Sequence, residues 1–411
     1  MSTKRSAACA QAHKWEFKAR FRRNAFGWRS QPAITRVKQA VAEIKKVAKK
    51  EPLLAAEGAV VFLERVSPAL EHVDSSSGAI GTAVNNAIAD LVPIIANAPA
   101  EAKIRDAWLE RLFDAYQDDG IPYIEWLGDH WGTLCASREV ASAWADQLID
   151  GVKLAWSPDP SLRGFFKGTT NCLSALVAAE RYDDVLTLLE LAPYEMWHYR
   201  QYGVKALAAQ GKKAEAICYA EEGGGLNDSP VAIARACEEV LLSSGLADEA
   251  YRRYGLVANQ AGTYLATFRA VAKKYPHKAA KEILADLVET TPGDEGKWFA
   301  AAKDAGLYEE ALELASQTPC DPKTLTRAAR DFAAKEPAFA LGAGFLALEW
   351  LIEGYGYDVT GSDVWAAYSS TLAAAEHLGS SAEAKKRIRE MVAAERTGGF
   401  VSQVLRRELG L

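Results

Sequence analysis

Two short segments of this 411-residue chain hold residue types that could do chemistry. In GDHWGTLC, Asp129 and His130 precede Cys135. A cysteine nucleophile needs a base that draws off its proton. On a helix, an offset of five places turns the His130 and Cys135 side chains apart around the cylinder. The plain reading is a helix end with Trp131 and Cys135 as structural residues. In SSSGAIGT, Ser75–Thr82, amides ahead of a helix start would suit an anion. No Lys accompanies them to neutralise a phosphate, so the segment reads as a turn. There is no HExxH for a metalloprotease and no Walker A loop. The six cysteines, Cys9, Cys135, Cys172, Cys218, Cys237 and Cys320, form neither a CxxC nor a zinc-spaced Cys/His set. They read as single thiols of a reducing cytoplasm. No cofactor and no metal site is expected.

Arg65 and His72, with six residues between them, resemble the Arg-to-His spacing of HEPN-type ribonucleases. In that family the pair handles phosphate charge and proton transfer. The polar residue that follows the family's Arg is replaced by Val66, and Pro68 is expected to interrupt the helix.

What could position such groups is a helical scaffold. The chain holds 75 Ala and only 3 Met, and hydrophobic residues make up 49%. Alanine favours helix and lets helices approach closely, which argues against a β-sandwich or barrel. A short motif recurs: ERYDDV at Glu180, GKKAEA at Gly211, GLADEA at Gly245 and GLYEEA at Gly306. Their starts are 31, 34 and 61 residues apart, the last being two periods. YPHKAA at Tyr275 fills the gap, EPAFAL follows at Glu336, and GSSAEA at Gly379 comes after a Gly/Tyr-rich insertion. A Gly or small residue stops one helix, acids begin the next, and the sixth position is usually Ala. A period of 30–34 residues is that of a helix–turn–helix repeat.

The pattern resembles divergent tetratricopeptide-like α-solenoids over Ser161–Glu395. It is similar to uncharacterised bacterial helical-repeat proteins, some of which accompany SWIM-type zinc fingers, although no SWIM Cys/His set is present. The expected fold is all-α: a right-handed α-solenoid of tetratricopeptide-like repeats behind an irregular helical N-terminal module. The expected division is a basic aromatic arm at 1–32, the helical module at 33–160, repeats at 161–395, and a tail or capping helix at 396–411. Within the module, helices are expected at Ala33–Lys50, Leu53–Glu71, Gly81–Asn97, Ala102–Gln117, Tyr123–Leu134 and Val140–Leu154. In each repeat the residue at the sixth motif position should be buried: Val185, Ala216, Ala250, Ala280 and Ala311.

Charge is uneven. Residues 1–50 hold 14 Lys and Arg against Glu16 and Glu43, whereas the whole chain has net charge −6. Such an arm suits either a polyanion or an acidic surface of the protein itself. Its candidate contacts are Arg20, Arg22, Arg23, Trp28 and Arg29, with Phe17, Phe21 and Trp28 as apolar anchors. Pro32 is expected to end the arm. In tetratricopeptide-like arrays the first helices line a concave groove. The resemblance therefore implies a partly basic groove bearing Tyr202, Lys205, Arg269, Lys297, Arg327 and Arg330. No signal-peptide core is visible, and the apolar run Ala87–Ala98 reads as too short to cross a bilayer. The expectation is a cytoplasmic, non-catalytic protein-binding scaffold or adaptor that takes a protein or peptide in its groove. The alternatives are nucleic-acid association through the arm and a ribonuclease using Arg65 and His72. A homodimer is compatible with either; a membrane role is not expected.

Overall fold

The structure, a computed structural model, describes residues 13–223, 225, 228–395 and 399–410. Cys9 and the first twelve residues of the arm lie outside the described residues, as do 396–398 of the tail. Among the described residues every regular element is a helix and no strand forms, so the fold is all-α. The chain divides into two compact units, with the boundary between Ser229 and Pro230.

The first unit begins with α1 (Glu16–Arg20), α2 (Ser30–Ala48), α3 (Pro52–Leu70), α4 (Ala79–Ala96) and α5 (Ala102–Asp118). Pro32 does not end the arm; it sits in the first turn of α2, where its missing N–H has no helical partner to lose. Pro68 likewise lies inside α3, one turn from its end, and Pro93 inside α4. The expectation for Ala87–Ala98 is corrected here. The helix starts at Ala79 and, by length and composition alone, is long and apolar enough to cross a bilayer. Its Ile80, Val84, Ile88 and Leu91 are fully buried against neighbouring helices. Buried Arg105 on α5 closes the end of α4, donating to the Ala98 carbonyl at 2.8 Å and the Ile95 carbonyl at 3.2 Å.

The expected helix Tyr123–Leu134 is broken. A 3-10 turn at Glu125–Leu127 precedes the short α6 (Trp131–Cys135), and Ala136, at φ 59°, ends it. Then follow α7 (Arg138–Ala155), α8 (Thr169–Ala178), α9 (Tyr182–Glu190), α10 (Trp197–Ala209) and α11 (Lys213–Glu221). Because α8 packs on both α6 and α7, no compact unit ends at residue 160; the first hairpins share a core with the N-terminal helices.

The second unit opens with α12 (Pro230–Leu242). Its partner starts as α13 (Ala247–Ala250), passes through a π turn at Tyr251–Gly255 and ends as α14 (Leu256–Ala258). After these come α15 (Tyr264–Lys274), α16 (Ala280–Glu289), α17 (Phe299–Asp304), α18 (Tyr308–Gln317) and α19 (Pro322–Phe332). The last helices are α20 (Pro337–Ile352), α21 (Gly361–His377), α22 (Ser381–Ala393) and α23 (Phe400–Leu409), and α23 packs on α21 and α22.

Helices end and restart at the expected turns. Gly211, Gly245, Gly306 and Gly379 all adopt left-handed φ between 67° and 81°, and Glu180 adopts the same conformation at 58°. Lacking a Cβ, glycine enters that region without the steric cost other residues meet. The sixth-position residues Val185, Ala216, Ala250 and Ala311 are fully buried. Ala280 is only half-buried, which corrects the expected register of that repeat. There α16 starts at Ala280 itself, so the inward face is carried by Ile283, Leu284 and Leu287.

Candidate functional site

The arm is built inside out relative to a polyanion-binding tail. Trp15, Phe17 and Phe21 are buried, and the two phenylalanines meet Phe62 edge-on at 5.7 and 5.1 Å between ring centroids. Trp15 packs on Gly58 of α3, where a Cβ would collide with its ring. Glu43 on α2 accepts the Glu16 N–H at 2.8 Å and the Phe17 N–H at 3.2 Å, seating the start of α1. Thus residues 13–31 dock within their own unit. Trp28 is the exception: it is 72% exposed and anchors nothing in the core. Of the arm's cations, Arg20 pairs with Glu16 at 3.5 Å and Arg23 with Glu71 at 3.6 Å. Arg22 and Arg29 have no ion-pair partner among the described residues and are exposed, Arg29 next to Trp28.

Asp129, in the first of the chemical segments, is a structural hub. Its carboxylate accepts the Tyr202 hydroxyl at 2.9 Å and the Gln201 amide at 3.4 Å. Its carbonyl accepts the Ser174 hydroxyl at 2.9 Å, and the Ser174 hydroxyl oxygen in turn accepts the Gly132 N–H at 3.0 Å. His130 is held against the edge of Trp126 and does not bond Cys135. Burial keeps the His130 imidazole below its usual pKa, with Lys205 adding to the effect and Asp129 opposing it. Burial also pushes the Cys135 thiol up to about 12, which removes the thiolate a nucleophile needs. Cys172 and Cys320 are raised to about 12 for the same reason, and among the described cysteines Cys218 alone is exposed.

Tyr202 is therefore corrected from a groove-lining residue to a core one: it is 1% exposed and turned toward Asp129. Lys205 is exposed and lies 4.9 Å from the Tyr202 ring centre. Both belong to the first unit. The other four stripe residues belong to the second, and their charge is largely met by neighbours. Arg269 donates to Asp304 at 2.8 Å, Lys297 pairs with Asp294 at 2.8 Å and Arg330 with Asp331 at 2.8 Å. Arg327 donates to the Thr324 hydroxyl at 2.9 Å. Such exposed pairs contribute little energy but cancel the field a basic groove would need.

Arg65 is half-buried on α3, whereas His72 is exposed in the turn after that helix ends. Among the described residues no hydrogen bond or ion pair joins them. In the Ser75–Thr82 segment, Asp74 accepts the Ser76 N–H at 3.0 Å, and left-handed Gly78 starts α4. A carboxylate already holds that turn. No group of three or more metal-ligating side chains gathers among the described residues.

Sequence reasoning missed two features. One is the pair of carboxylates, Asp119 and Glu238, that lock irregular backbone. Asp119 accepts the Ser67 hydroxyl and, at 2.8 Å, the Ile124 N–H, and Lys167 reaches the Asp119 carbonyl at 2.7 Å. Glu238, fully buried, accepts from Asn259, Lys274 and the Tyr275 hydroxyl, each at 2.6 Å. Asn259 also donates to the Gly255 carbonyl at 2.7 Å, satisfying an acceptor of the π turn. An acid inside the apolar run ACEEVLL was the available signal.

The other is a double cleft in the second unit, next to that π turn. Its larger part encloses about 610 Å³ between α13 and α16; its smaller part encloses about 320 Å³ beside α14 and Trp298. Leu256 and Thr290 line both parts. π turns interrupt helices disproportionately at functional sites. No protein-family model matches this chain, and no curated protein matches it either.

Proposed function

We propose that the protein is a non-catalytic, cytoplasmic scaffold or adaptor that holds a protein or peptide partner on a right-handed, tetratricopeptide-like α-solenoid. The observation that carries this reading is the double cleft set among successive hairpins of the second unit. Helical repeats offer extended surface to a partner rather than one enclosed pocket. Both cleft volumes also fall within the size range of ligand-binding sites. The groups that could do chemistry support the same reading, because Asp129, Tyr202 and Cys135 are committed to packing and internal hydrogen bonds. Affinity purification of the full chain from its native cells, with mass spectrometry, should recover one partner in near-stoichiometric amount. That partner should bind the purified protein directly. Recovery of chaperones alone would overturn the proposal.

A second reading, nucleic-acid association through the arm, is favoured by the exposed cations Arg22 and Arg29 and by exposed Trp28, which adjoins Arg29. Cations neutralise phosphates and an exposed indole stacks on bases. Charge reversal at Arg22 and Arg29 leaves the docked aromatics in place. If this reading holds, the variant loses retention on single-stranded nucleic acid and the wild type shows a steep salt dependence. A ribonuclease reading needs Arg65 and His72 to act together, and nothing in their surroundings favours it.

A further inference from the structure

We infer that the double cleft of the second unit binds an extended peptide segment carrying a Lys or Arg next to a hydrophobic side chain. This rests on the scaffold reading above and names the chemistry of its partner.

The smaller part of the cleft mixes apolar and aromatic residues with Gln260 and four threonines. Leu256, Val257 and Leu287 form its walls, and Tyr264 meets Trp298 edge-on at 4.8 Å. The polar ends of these rings are already satisfied. The Trp298 N–H donates to Thr291 at 2.8 Å, and the Tyr264 hydroxyl donates to Asp294 at 2.7 Å. The apolar surface open to a visitor is carried chiefly by Val257, 38% exposed at the rim, and by half-buried Leu256 and Tyr264. Removing that surface from water is the driving force for an apolar side chain to enter.

The larger part is acidic. Five carboxylates line it, against Arg252 and Lys278. Lys278 is held by Glu282 at 2.8 Å and Asp248 at 3.7 Å. Asp286 accepts the Tyr251 hydroxyl at 2.5 Å. Glu289 is exposed and has no hydrogen-bond or ion-pair partner among the described residues. Glu249 is met by Arg252 and Arg253, so Asp286 and Glu289 are the lining carboxylates left without an ion pair among the described residues. They select a cation, and the partly apolar site sharing a wall with them selects a hydrophobic neighbour. Because Leu256 and Thr290 are common to both parts, consecutive side chains of one extended segment can reach both.

The wall between the two parts is held rigidly. A Cβ on Gly255 would stand 3.0 Å from the Tyr275 ring, and Tyr275 is tied to buried Glu238. The π turn places Leu256 and Val257 at the cleft, and the Glu238 network fixes that turn. A site formed before binding loses less freedom when its partner arrives.

The test is fluorescence anisotropy on the full chain, with a short fluorescein-labelled peptide alternating Arg and Leu. The wild type should bind it, and more weakly as salt rises. Glu289→Lys and Val257→Asp should each weaken binding about ten-fold or more. Both positions are exposed, so their melting curves should match the wild type. Replacing Leu by Gly, or Arg by Glu, in the peptide should weaken binding comparably. The inference is overturned if wild type does not bind, if both variants bind as wild type does, or if the Gly peptide binds equally well. It is also overturned if Glu289→Lys changes only the sedimentation of the free protein, since the occupant is then a second copy. A native partner retained by the Glu289→Lys/Val257→Asp double variant removes this cleft but leaves the scaffold reading intact. Absence of any partner from wild type removes the scaffold reading itself.

Discussion

At Gly211, Gly245, Gly306 and Gly379 the chain leaves one helix and enters the next through a single left-handed residue, and a small side chain beyond the turn closes the gap. Between Asp119 and Arg138 the chain also leaves one long helix and enters another, but there its path is held by side chains from distant segments. Asp119 accepts from Ser67, 52 residues away, and Ser174 joins Asp129 to Gly132 from α8. The first kind of turn needs only local residue choice. The second depends on contacts that exist once the unit has folded. Substitutions should therefore act locally at the repeat turns and spread through the first unit at the irregular segment.

The largest effect is expected at Gly132. A Cβ there would stand 2.4 Å from the Ser174 carbonyl oxygen and 2.6 Å from the Ala178 Cβ. Neither can move without shifting α8. Gly132→Val should cost about 3 kcal/mol, the top of the usual range for overpacking. Gly81, in helical conformation on α4, has nothing within 4 Å of its Cβ position. Gly81→Ala should instead raise stability by up to about 1 kcal/mol through helix propensity. Urea unfolding of both variants reads the contrast, and equal stabilities would break the comparison.

Among the sixth-position residues of the turn motif, Ala311 is fully buried and Ala280 is not. Ala311→Phe should cost about 1–3 kcal/mol and lower the melting temperature, with Ala280→Phe costing clearly less. Equal losses would mean that the slipped register of α16 is wrong.

This difference also explains what could be read in advance. The hairpin turns were legible because Gly and acid signals sit within six residues of the event they cause. All-α character followed from alanine content. The register of α16 was not legible, since YPHKAA offers two start points and packing chooses the later one. Tyr202 illustrates the limit at the site. Its position in the stripe fitted a groove-lining residue, but Asp129, which it bonds, is 73 residues away and in no local pattern. The double cleft was hidden for the same reason: the π turn that shapes it depends on Glu238 of α12, whose partners Asn259, Lys274 and Tyr275 lie 21 to 37 residues on.

A pH titration separates the two kinds of turn without a large mutation. His130 sits in the irregular segment with its pKa held below the ordinary value of 6.5, chiefly by burial. The unfolded chain then binds a proton that the folded chain refuses, so stability falls as pH drops through about 6.5 toward the folded value. Wild type should lose melting temperature between about pH 7.5 and about pH 5.5, and His130→Gln should lose less over that window. Parallel curves would show that His130 is equally solvated in both states.

The smallest effect is expected at Glu180, where the comparison is sharpest. Glu180 occupies the position that Gly211, Gly245 and Gly306 fill in the other copies of the turn motif, and it adopts a similar left-handed φ, 58°. A residue with a Cβ costs about 1–2 kcal/mol in that conformation, more than glycine does. Two terms oppose replacing it. Glycine has more freedom to lose on folding. Glu180 also pairs with Arg138 at 2.8 Å, though both side chains are more than half exposed, so the pair contributes about 0–1 kcal/mol. The balance favours glycine by a few tenths of a kcal/mol. Glu180→Gly should thus raise the melting temperature slightly, while Gly306→Ala, the reverse change at a matching turn, should cost about 1 kcal/mol. High salt should widen the gain from Glu180→Gly, because screening removes the ion pair from wild type but leaves the backbone term intact. A loss of stability in Glu180→Gly that disappears at high salt would mean that the Arg138 pair holds this turn. The first hairpin would then belong with the contact-dependent turns of the first unit rather than with the glycine turns it resembles in sequence.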